Sequence, residues 1–385
     1  MTGPVILLIF IFIWFFREHR LHQRALSQIP LRIHVNGTRG KSSVTRLIAA
    51  GLRVDAKRVF AKTTGTAPRI IECDGSEKEW PRRGPANIRE LVDIVRIAAA
   101  QKTEILVVEC MALRPELQWF SEHRLLQSHI GVLTNIRPDH LDVMGHDLQT
   151  ITAALANTIP GKGCMVTTQE ALETLNSWGS QIHHANWEIV SSTDSVAVET
   201  ASTFPYEVHP ANLALALKVC ELAGVSANTA LEGMRQAAPD LGNVTISTFH
   251  HAGKSVRFIN ALAANDPLST LELWQRYVEP VRANTDSSEV ILLNMRSDRR
   301  FRTLQLISAL TAIHAGPYWV VGDSDFTKGQ LRKAGISQEM IHSGEKTTTW
   351  RHLIETHPAA KFTLFAAGNT KGFLTPPCMF SSSAL

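Results

Sequence analysis

The ten residues HVNGTRGKSS, at positions 34 to 43, constrain the fold of this 385-residue chain more than any other stretch. An apolar run ends at Val35, and apolar residues from Val44 onward recur at helical spacing, so the segment joins a strand to a helix. Glycines in such a turn let backbone amides point at a phosphate group, and the helix N-terminus adds a favourable dipole. The segment therefore predicts a phosphate-binding loop, with Lys41 at the terminal phosphates and Ser42 beside a magnesium ion.

Short apolar runs alternate with helical patterns along the rest of the chain. Two of these runs, residues 105–108 and 130–134, are followed by the polar residues Glu109 and Asn135. Alternation of this kind predicts an α/β fold, in which a parallel sheet carries helices on both faces. Ligands of open α/β sheets bind at the carboxyl ends of the strands, so Glu109 is a candidate magnesium ligand. The alternative is that Glu109 is a solvated residue at the end of its strand.

The pattern breaks near residues 238–246, where the sequence APDLGN interrupts it. We therefore predict three parts: an N-terminal membrane anchor over residues 1–24, a phosphate-loop domain over residues 25–243, and a smaller Rossmann-like α/β domain over residues 244–385. No internal repeat or low-complexity segment is present.

The N-terminal segment is strongly apolar. Residues 1–16 carry no charged side chain, and Arg17, Arg20 and Arg24 follow. A secretory signal peptide has the opposite order, with basic residues first, so cleavage is not expected. A helix of this length spans roughly 24 Å, slightly less than the roughly 30 Å hydrocarbon core. The segment predicts a single transmembrane helix with the body of the protein at the cytoplasmic face of the inner membrane; a helix lying in the membrane plane is the alternative.

Charge and cysteine content narrow the function classes. The net charge of +4 is small for 385 residues, which argues against a nucleic-acid partner. Residues 31–70 are nevertheless locally basic, with Asp55 as their only acidic residue. This distribution suits the binding of an anionic substrate. The alternative is that these basic residues form a solvated surface with no ligand. The five cysteines contain no C-x-x-C pair, which is typical of a reducing cytoplasm.

A second polar loop follows the apolar run at residues 130–134. Its sequence, TNIRPDHLDVMGH, places Asp139, His140, Asp142 and His146 close together in the chain. These side chains are either metal ligands or members of a polar loop. A position at the same sheet edge as the phosphate loop favours the metal site.

Five segments occur along the chain in the order VNGTRGKS, KTTGTAPR (62–69), VVECM (107–111), TNIRPDHLDVMG (134–145) and NALAAND (260–266). This ordered set resembles the Mur ligase superfamily of ATP-dependent amide ligases. Only two residues separate Gly37 from Gly40, whereas the widespread nucleotide-binding loop has four; the superfamily uses the shorter loop. Together with the apolar N-terminus, the motifs most resemble the ligase subunits of poly-γ-glutamate synthases, which make capsule or exopolymer.

The resemblance implies a set of site residues. Lys41, Glu109 and His140 would be catalytic, Ser42 and Glu109 would hold one Mg²⁺ (or Mn²⁺), and His140 would hold a second. Asn212 matches the adenine side of the site, and Asn260 lies where the superfamily often has an Asp near the ribose. An arginine of residues 294–302 would close over the nucleotide; the candidates are Arg296, Arg299, Arg300 and Arg302. The ATP phosphates would be held by the loop itself, which comprises Gly37, Thr38, Arg39, Gly40, Lys41, Ser42 and Ser43.

The implied function is an ATP-dependent carbon–nitrogen ligase that polymerises glutamate into poly-γ-glutamate through an acyl phosphate and releases ADP and phosphate. Its implied partners are glutamate, the growing polymer, the membrane and other subunits of a synthase and export complex. Two departures bear on this: the phosphate loop begins at residue 37, which leaves no room for a sugar-binding domain, and the segment LQTITAALANTIP lacks the metal-bridging lysine of many members. A folate-type polyglutamate ligase and a membrane-anchored ATPase or kinase are the alternatives.

Overall fold

The chain divides into two compact units, Met1–Asp240 and Leu241–Leu385, and each is described by itself. The computed structural model describes residues 2–55, 57–65, 68–82, 84, 86–139, 143–178, 186–193, 195–201, 203–204, 206, 208–238, 244–262, 264, 266–282, 288–344 and 349–369.

The first unit is built on one eight-stranded sheet, in the order β4-β3-β2-β5-β1-β6-β7-β8. The six strands from β2 to β8 are mutually parallel, and the β3–β4 hairpin adds an antiparallel edge. The strands are β1 (Leu31–Asn36), β2 (Val59–Thr63), β3 (Arg69–Ile71), β4 (Glu77–Glu79), β5 (Ile105–Glu109), β6 (Ile130–Leu133), β7 (Cys164–Thr168) and β8 (Asn186–Val190).

Helices cover both faces of this sheet, as predicted. Alternate residues along each parallel strand point to opposite faces, so Val107 joins one apolar core and Val108 the other. The helices are α1 (Thr2–Ser27), α2 (Lys41–Arg53), α3 (Glu90–Ala100), α4 (Pro115–Phe120), a π-helical turn (Ser121–Leu126), α5 (Leu148–Ala156), α6 (Gln169–Trp178), α7 (Ser195–Ala201), α8 (Pro210–Leu222) and α9 (Ala227–Gln236).

The second unit contains a six-stranded sheet, in the order β13-β12-β11-β14-β10-β9, in which only β9 is antiparallel to its neighbour. Its apolar cores lie on both faces, with Trp274 in one and Leu353 in the other. Its elements are β9 (Thr245–His251), β10 (Lys254–Asn260), α10 (Pro267–Tyr277), α11 (Glu279–Arg282), β11 (Ser288–Met295), α12 (Arg300–Thr311), β12 (Tyr318–Gly322), α13 (Ser324–Lys333), β13 (Ile341–Ser343), α14 (Thr349–Thr356) and β14 (Lys361–Gly368).

The N-terminal helix differs from the prediction. No helix in the part of the chain that the structure describes is long and apolar enough to cross a membrane. The physical reason is that the apolar stretch stops at Phe16, and α1 then continues through Arg17, Glu18 and Arg20 to Ser27. The prediction of a transmembrane helix is corrected accordingly.

The second half of α1 is part of the folded body. Leu26 is buried in the core that also contains Ile94 of α3, and the His22 Nε2 atom donates a hydrogen bond to the Leu125 carbonyl at 2.8 Å. The Arg32 guanidinium donates to the carbonyls of Leu26 and Ile29, and also to those of Leu126 and Gln127 at the end of the π-helical turn. These bonds satisfy carbonyls that the end of a helix leaves without intrahelical partners.

A buried ion pair lies under the strand that leads to the phosphate loop. The Nδ1 atom of His34, on β1, donates to the Glu122 carboxylate at 2.8 Å, and that carboxylate also accepts from the Ser128 amide and hydroxyl. Burial acts to lower the pKa of His34, but the side chains of Cys110 and Glu122 outweigh it and raise that pKa to about 10. Burial acts to raise the pKa of Glu122, but the bonds from His34 and Ser128 bring it below its ordinary value. Both groups are therefore charged at neutral pH.

Candidate active site

The phosphate loop adopts a conformation that requires its two glycines. Gly37 has a φ of 132° and Gly40 a φ of 79°, both in the region that L-residues rarely occupy. A Cβ atom on Gly37 would lie 2.1 Å from the Thr134 Oγ1 atom, and a Cβ atom on Gly40 would lie 2.7 Å from the Asn212 Oδ1 atom. The short spacing between the glycines is therefore a tightly packed loop rather than a degraded version of a longer one.

Two side chains after β6 hold the loop in place. The Thr134 hydroxyl and the Asn135 amide group both donate to the Arg39 carbonyl, at 2.5 and 3.0 Å. The Asn135 Oδ1 atom accepts from the Arg39 amide at 3.0 Å and from the Thr38 hydroxyl at 2.6 Å. Asn135 is predicted from the sequence to follow a strand, but no role is predicted for it or for Thr134. Thr134 and Asn135 follow β6, which pairs with the strand that leads to the loop, and this position could have indicated their role.

Lys41 begins helix α2 and lies over the loop. Its ammonium donates to the Gly37 carbonyl at 2.7 Å and to the Thr38 carbonyl at 3.3 Å. The first amides of a helix have no intrahelical partners, so they and the ammonium together form a positively polarised cradle at the start of α2. This cradle fits the phosphate groups of a nucleotide.

Glu109 and Ser42 lie together at the end of β5. The Ser42 hydroxyl donates to the Glu109 Oε2 atom at 2.8 Å, and the backbone amide of Thr64 donates to the same oxygen at 2.6 Å. Glu109 is buried, with 2% of its surface exposed. A hydroxyl and a carboxylate beside a phosphate cradle are the oxygen ligands that Mg²⁺ uses in nucleotide sites. The predicted pairing of Ser42 with Glu109 is thus observed as a direct contact.

The predicted second metal ligand, His140, lies outside the described residues. Within the described parts of the chain, no group of three or more His, Cys, Asp or Glu side chains could hold a metal ion. Asp139, from the same segment, lies 3.5 Å from the Arg39 guanidinium. The charge of Arg39, a residue of the phosphate loop, is thus partly offset by a neighbouring carboxylate.

The other predicted nucleotide residues are distributed between the two units. Asn212, predicted at the adenine side, lies near the start of α8 with its side chain packed against Gly40 of the phosphate loop. In the second unit, the Asn260 Oδ1 atom accepts a hydrogen bond from the Leu262 amide at 3.3 Å. The Arg300 guanidinium makes two hydrogen bonds to the Asp323 carboxylate, at 2.8 and 3.2 Å, and lies over the Phe326 ring.

Comparison with known proteins agrees with this fold. The Mur ligase middle domain matches residues 35–201, and the C-terminal domain of poly-γ-glutamate synthase CapB matches residues 246–376. Among solved structures, a bifunctional folylpolyglutamate synthase/dihydrofolate synthase from Yersinia pestis, complexed with AMPPNP and Mn, has a TM-score of 0.65 at 15% identity and covers 91% of this chain and 89% of its own. A folylpolyglutamate synthase from Mycobacterium tuberculosis has a TM-score of 0.64 at 14% identity, covering 96% and 95%.

Two curated relatives are much nearer in sequence. The capsule biosynthesis protein CapB of Bacillus anthracis is 36% identical over 334 residues, which cover 84% of this chain and 71% of that protein. The PGA synthase CapB of Bacillus subtilis is 36% identical over 337 residues, covering 86% and 85%. These matches confirm the predicted family: the chain belongs to the CapB family of poly-γ-glutamate synthases, with the fold of the Mur ligases.

Proposed function

We propose that this protein is the ATP-dependent ligase that extends poly-γ-glutamate. Family membership makes it an ATP-dependent ligase, and the names of its relatives indicate glutamate and its polymer as substrates. The observation that carries the proposal is the contact between Ser42 and Glu109 beside the phosphate loop, because it brings magnesium ligands to the ammonium of Lys41. A site of this composition suits transfer of a phosphoryl group to a carboxylate.

In the proposed reaction, a terminal carboxylate oxygen of the acceptor attacks the γ-phosphorus of ATP, the bond to the β-phosphate oxygen breaks, and ADP leaves as the carboxylate becomes an acyl phosphate. The amine of a glutamate then attacks the acyl carbon, and phosphate leaves. Lys41 offsets the charge that develops on the transferred group, and the loop amides hold the neighbouring phosphates in position. Ser42 and Glu109 would hold Mg²⁺, which supplies further charge neutralisation when bound.

The alternatives are distinguished by their products. Folylpolyglutamate synthases share the fold, but their solved structures are only 14–15% identical to this chain in sequence. That similarity supports the fold and not the substrate. An ATPase or kinase would form ADP without making an amide bond. The relatives at 36% identity favour glutamate as the substrate.

Product analysis therefore tests the proposal directly. We expect the full-length protein, assayed with ATP, Mg²⁺ and L- or D-glutamate together with its neighbouring subunits, to release ADP and phosphate only when glutamate is present, and to form a γ-amide. The γ-linkage is read by mass spectrometry and NMR of the product. Formation of AMP and pyrophosphate, or release of ADP at the same rate without glutamate, would refute the ligase.

We also propose that the enzyme works at the inner face of the cytoplasmic membrane, beside the subunits that assemble and export the polymer. The first half of α1 exposes large apolar side chains to solvent; Phe10, Phe12 and Trp14 are 67%, 72% and 54% exposed. Arg17 and Arg20 follow these residues on the same helix. An apolar helix bordered by arginines binds anionic lipid when it lies in the membrane plane.

Vesicle sedimentation checks this location. We expect the intact protein to sediment with vesicles that contain phosphatidylglycerol, and a variant lacking residues 2–16 to stay in the supernatant while keeping its folded body. Vesicles of phosphatidylcholine alone serve as the control and should bind more weakly, because they lack the negative charge that attracts the arginines. Equal sedimentation of the intact and shortened proteins would show that α1 is not responsible.

A further inference from the structure

A buried ionic cluster lies beside the magnesium ligands and has no role in the reaction as described so far. It consists of Lys62, Arg82 and Glu90. The Lys62 Nζ atom lies 3.0 Å from the Glu90 Oε2 atom, and the Arg82 guanidinium donates to both Glu90 oxygens, at 2.9 and 3.4 Å. Two cations therefore share one carboxylate, and the cluster carries a net positive charge.

Lys62 is the unusual member of this cluster. Its side chain is fully buried, and among the described residues its Nζ atom pairs only with the Glu90 carboxylate, at 3.0 Å. An ammonium carries three donors, and burying a charge with unused donors is costly. Unused buried donors of this kind call for a binding partner, and a bound ligand is one such partner.

The cluster lies at the same sheet edge as the magnesium ligands. Lys62 is paired in register with Val108, the residue before Glu109, on the adjacent parallel strand. Two residues further along the chain, the Thr64 amide donates to the Glu109 carboxylate. The position of Lys62 is thus tied to the position of Glu109 by the strand pairing itself.

The surroundings favour an anion. Glu90 is the first residue of α3, an 11-residue helix, so its carboxylate lies at the positive end of a helix dipole as well as between two cations. Arg82 and Glu90 are partly exposed, at 22% and 11% of their side-chain surface, and are bonded directly to each other. A carboxylate that arrives from outside can therefore reach Arg82 first and replace Glu90 on both cations.

We propose that Lys62 and Arg82 bind a carboxylate of the glutamyl acceptor, and that Glu90 occupies this place until the acceptor arrives. The inference rests on the proposed function, because it names the substrate group that this sheet edge recognises. A guanidinium and an ammonium together bind a carboxylate through charge-assisted hydrogen bonds. The acceptor is then held next to Glu109 and Ser42, where its terminal carboxylate can meet the phosphoryl group.

The test compares substitutions that have opposite expected effects. In Lys62→Met and Arg82→Gln, the KM for a γ-linked glutamate oligomer should rise about tenfold or more, as expected for loss of a charged hydrogen bond, while the KM for ATP stays within about twofold. In Glu90→Gln, which removes the competing charge, the KM for the oligomer should fall. The matched control is Lys78→Met, since that lysine is 65% exposed on β4 and should behave as the wild type.

A direct measurement of oligomer binding tests this proposal independently of whether the protein is an active ligase. Calorimetric titration of the nucleotide-free, full-length protein with tri-γ-glutamate should show binding that weakens in Arg82→Gln and strengthens in Glu90→Gln, whether or not the preparation turns over. If Lys62→Met fails to fold, Arg82→Gln and Glu90→Gln still decide the question. An oligomer affinity unchanged in both of these variants, or an ATP KM that rises as much as the oligomer KM, would overturn the proposal; the second result would indicate a phosphate site.

Discussion

Replacing Lys41 with alanine should reduce glutamate-dependent ADP release by about a hundredfold or more, a typical loss when a group that stabilises transition-state charge is removed. The reason is structural: Lys41 is the ammonium that lies over the Gly37 carbonyl at the start of α2, directly beside Ser42 and Glu109. Its loss removes the positive charge nearest the phosphoryl group. The rate is measured with a coupled ADP assay at saturating ATP and glutamate.

A control distinguishes this effect from general damage. Lys162→Ala removes an exposed lysine just before β7, at the opposite end of the parallel sheet from the phosphate loop, and should leave the rate unchanged. Thermal unfolding of Lys41→Ala should also match the wild type, because the lysine is only partly buried. A rate for Lys41→Ala within threefold of the wild type would contradict the assignment of Lys41 to phosphoryl transfer.

Replacing Glu122 with alanine should destabilise the first unit by about 3–5 kcal/mol, the usual cost of leaving one member of a buried ion pair alone. The carboxylate accepts from His34 and from both donors of Ser128, so its removal leaves a buried imidazolium without its counter-charge. The midpoint of urea unfolding, followed by circular dichroism, measures the change. Glu116→Ala, an exposed acid in the preceding helix α4, is the matched control and should shift the midpoint little.

The double variant His34→Leu/Glu122→Leu should recover much of that loss, because replacing both charges with apolar groups removes the desolvation penalty together with the attraction.

The same double variant tests how the ion pair makes stability depend on pH. Burial opposes a charged His34, but Cys110 and Glu122 raise its pKa from 6.5 to about 10, so its contribution to stability is complete below pH 6.5 and is lost as the pH rises toward 10. The pKa of Glu122 is lowered from 4.5, so its contribution is present above pH 4.5 and is lost on acidification.

We therefore expect the wild type to lose more stability than the double variant between pH 6.5 and pH 10. The free energy of unfolding of both proteins is measured by urea titration across this range. Parallel curves for the two proteins would show that His34 does not retain its proton in the folded state.

Most of the fold was predictable from the spacing of apolar residues along the chain. The period-two and helical patterns around residues 34–52 specify a strand, a loop and a helix, because each depends only on neighbours in the chain. The pairing of Ser42 with Glu109 also followed from the sequence, since polar residues at the ends of parallel strands meet at one sheet edge. The N-terminal helix was predicted less well: its apolar first half predicted a membrane span, whereas α1 continues past Phe16 through the charged residues Arg17, Glu18 and Arg20 and does not meet the requirements of a span.

The sequence by itself determined the family, the two α/β sheets and the phosphate loop, because these depend on local backbone preferences and on an ordered set of motifs. Tertiary structure alone decided what surrounds the loop. The clamp of Thr134 and Asn135 on Arg39, the buried pair of His34 and Glu122, and the cluster of Lys62 with Glu90 each join residues at least 28 positions apart. Such contacts arise from strand order and helix placement, which fix distances that no local pattern records.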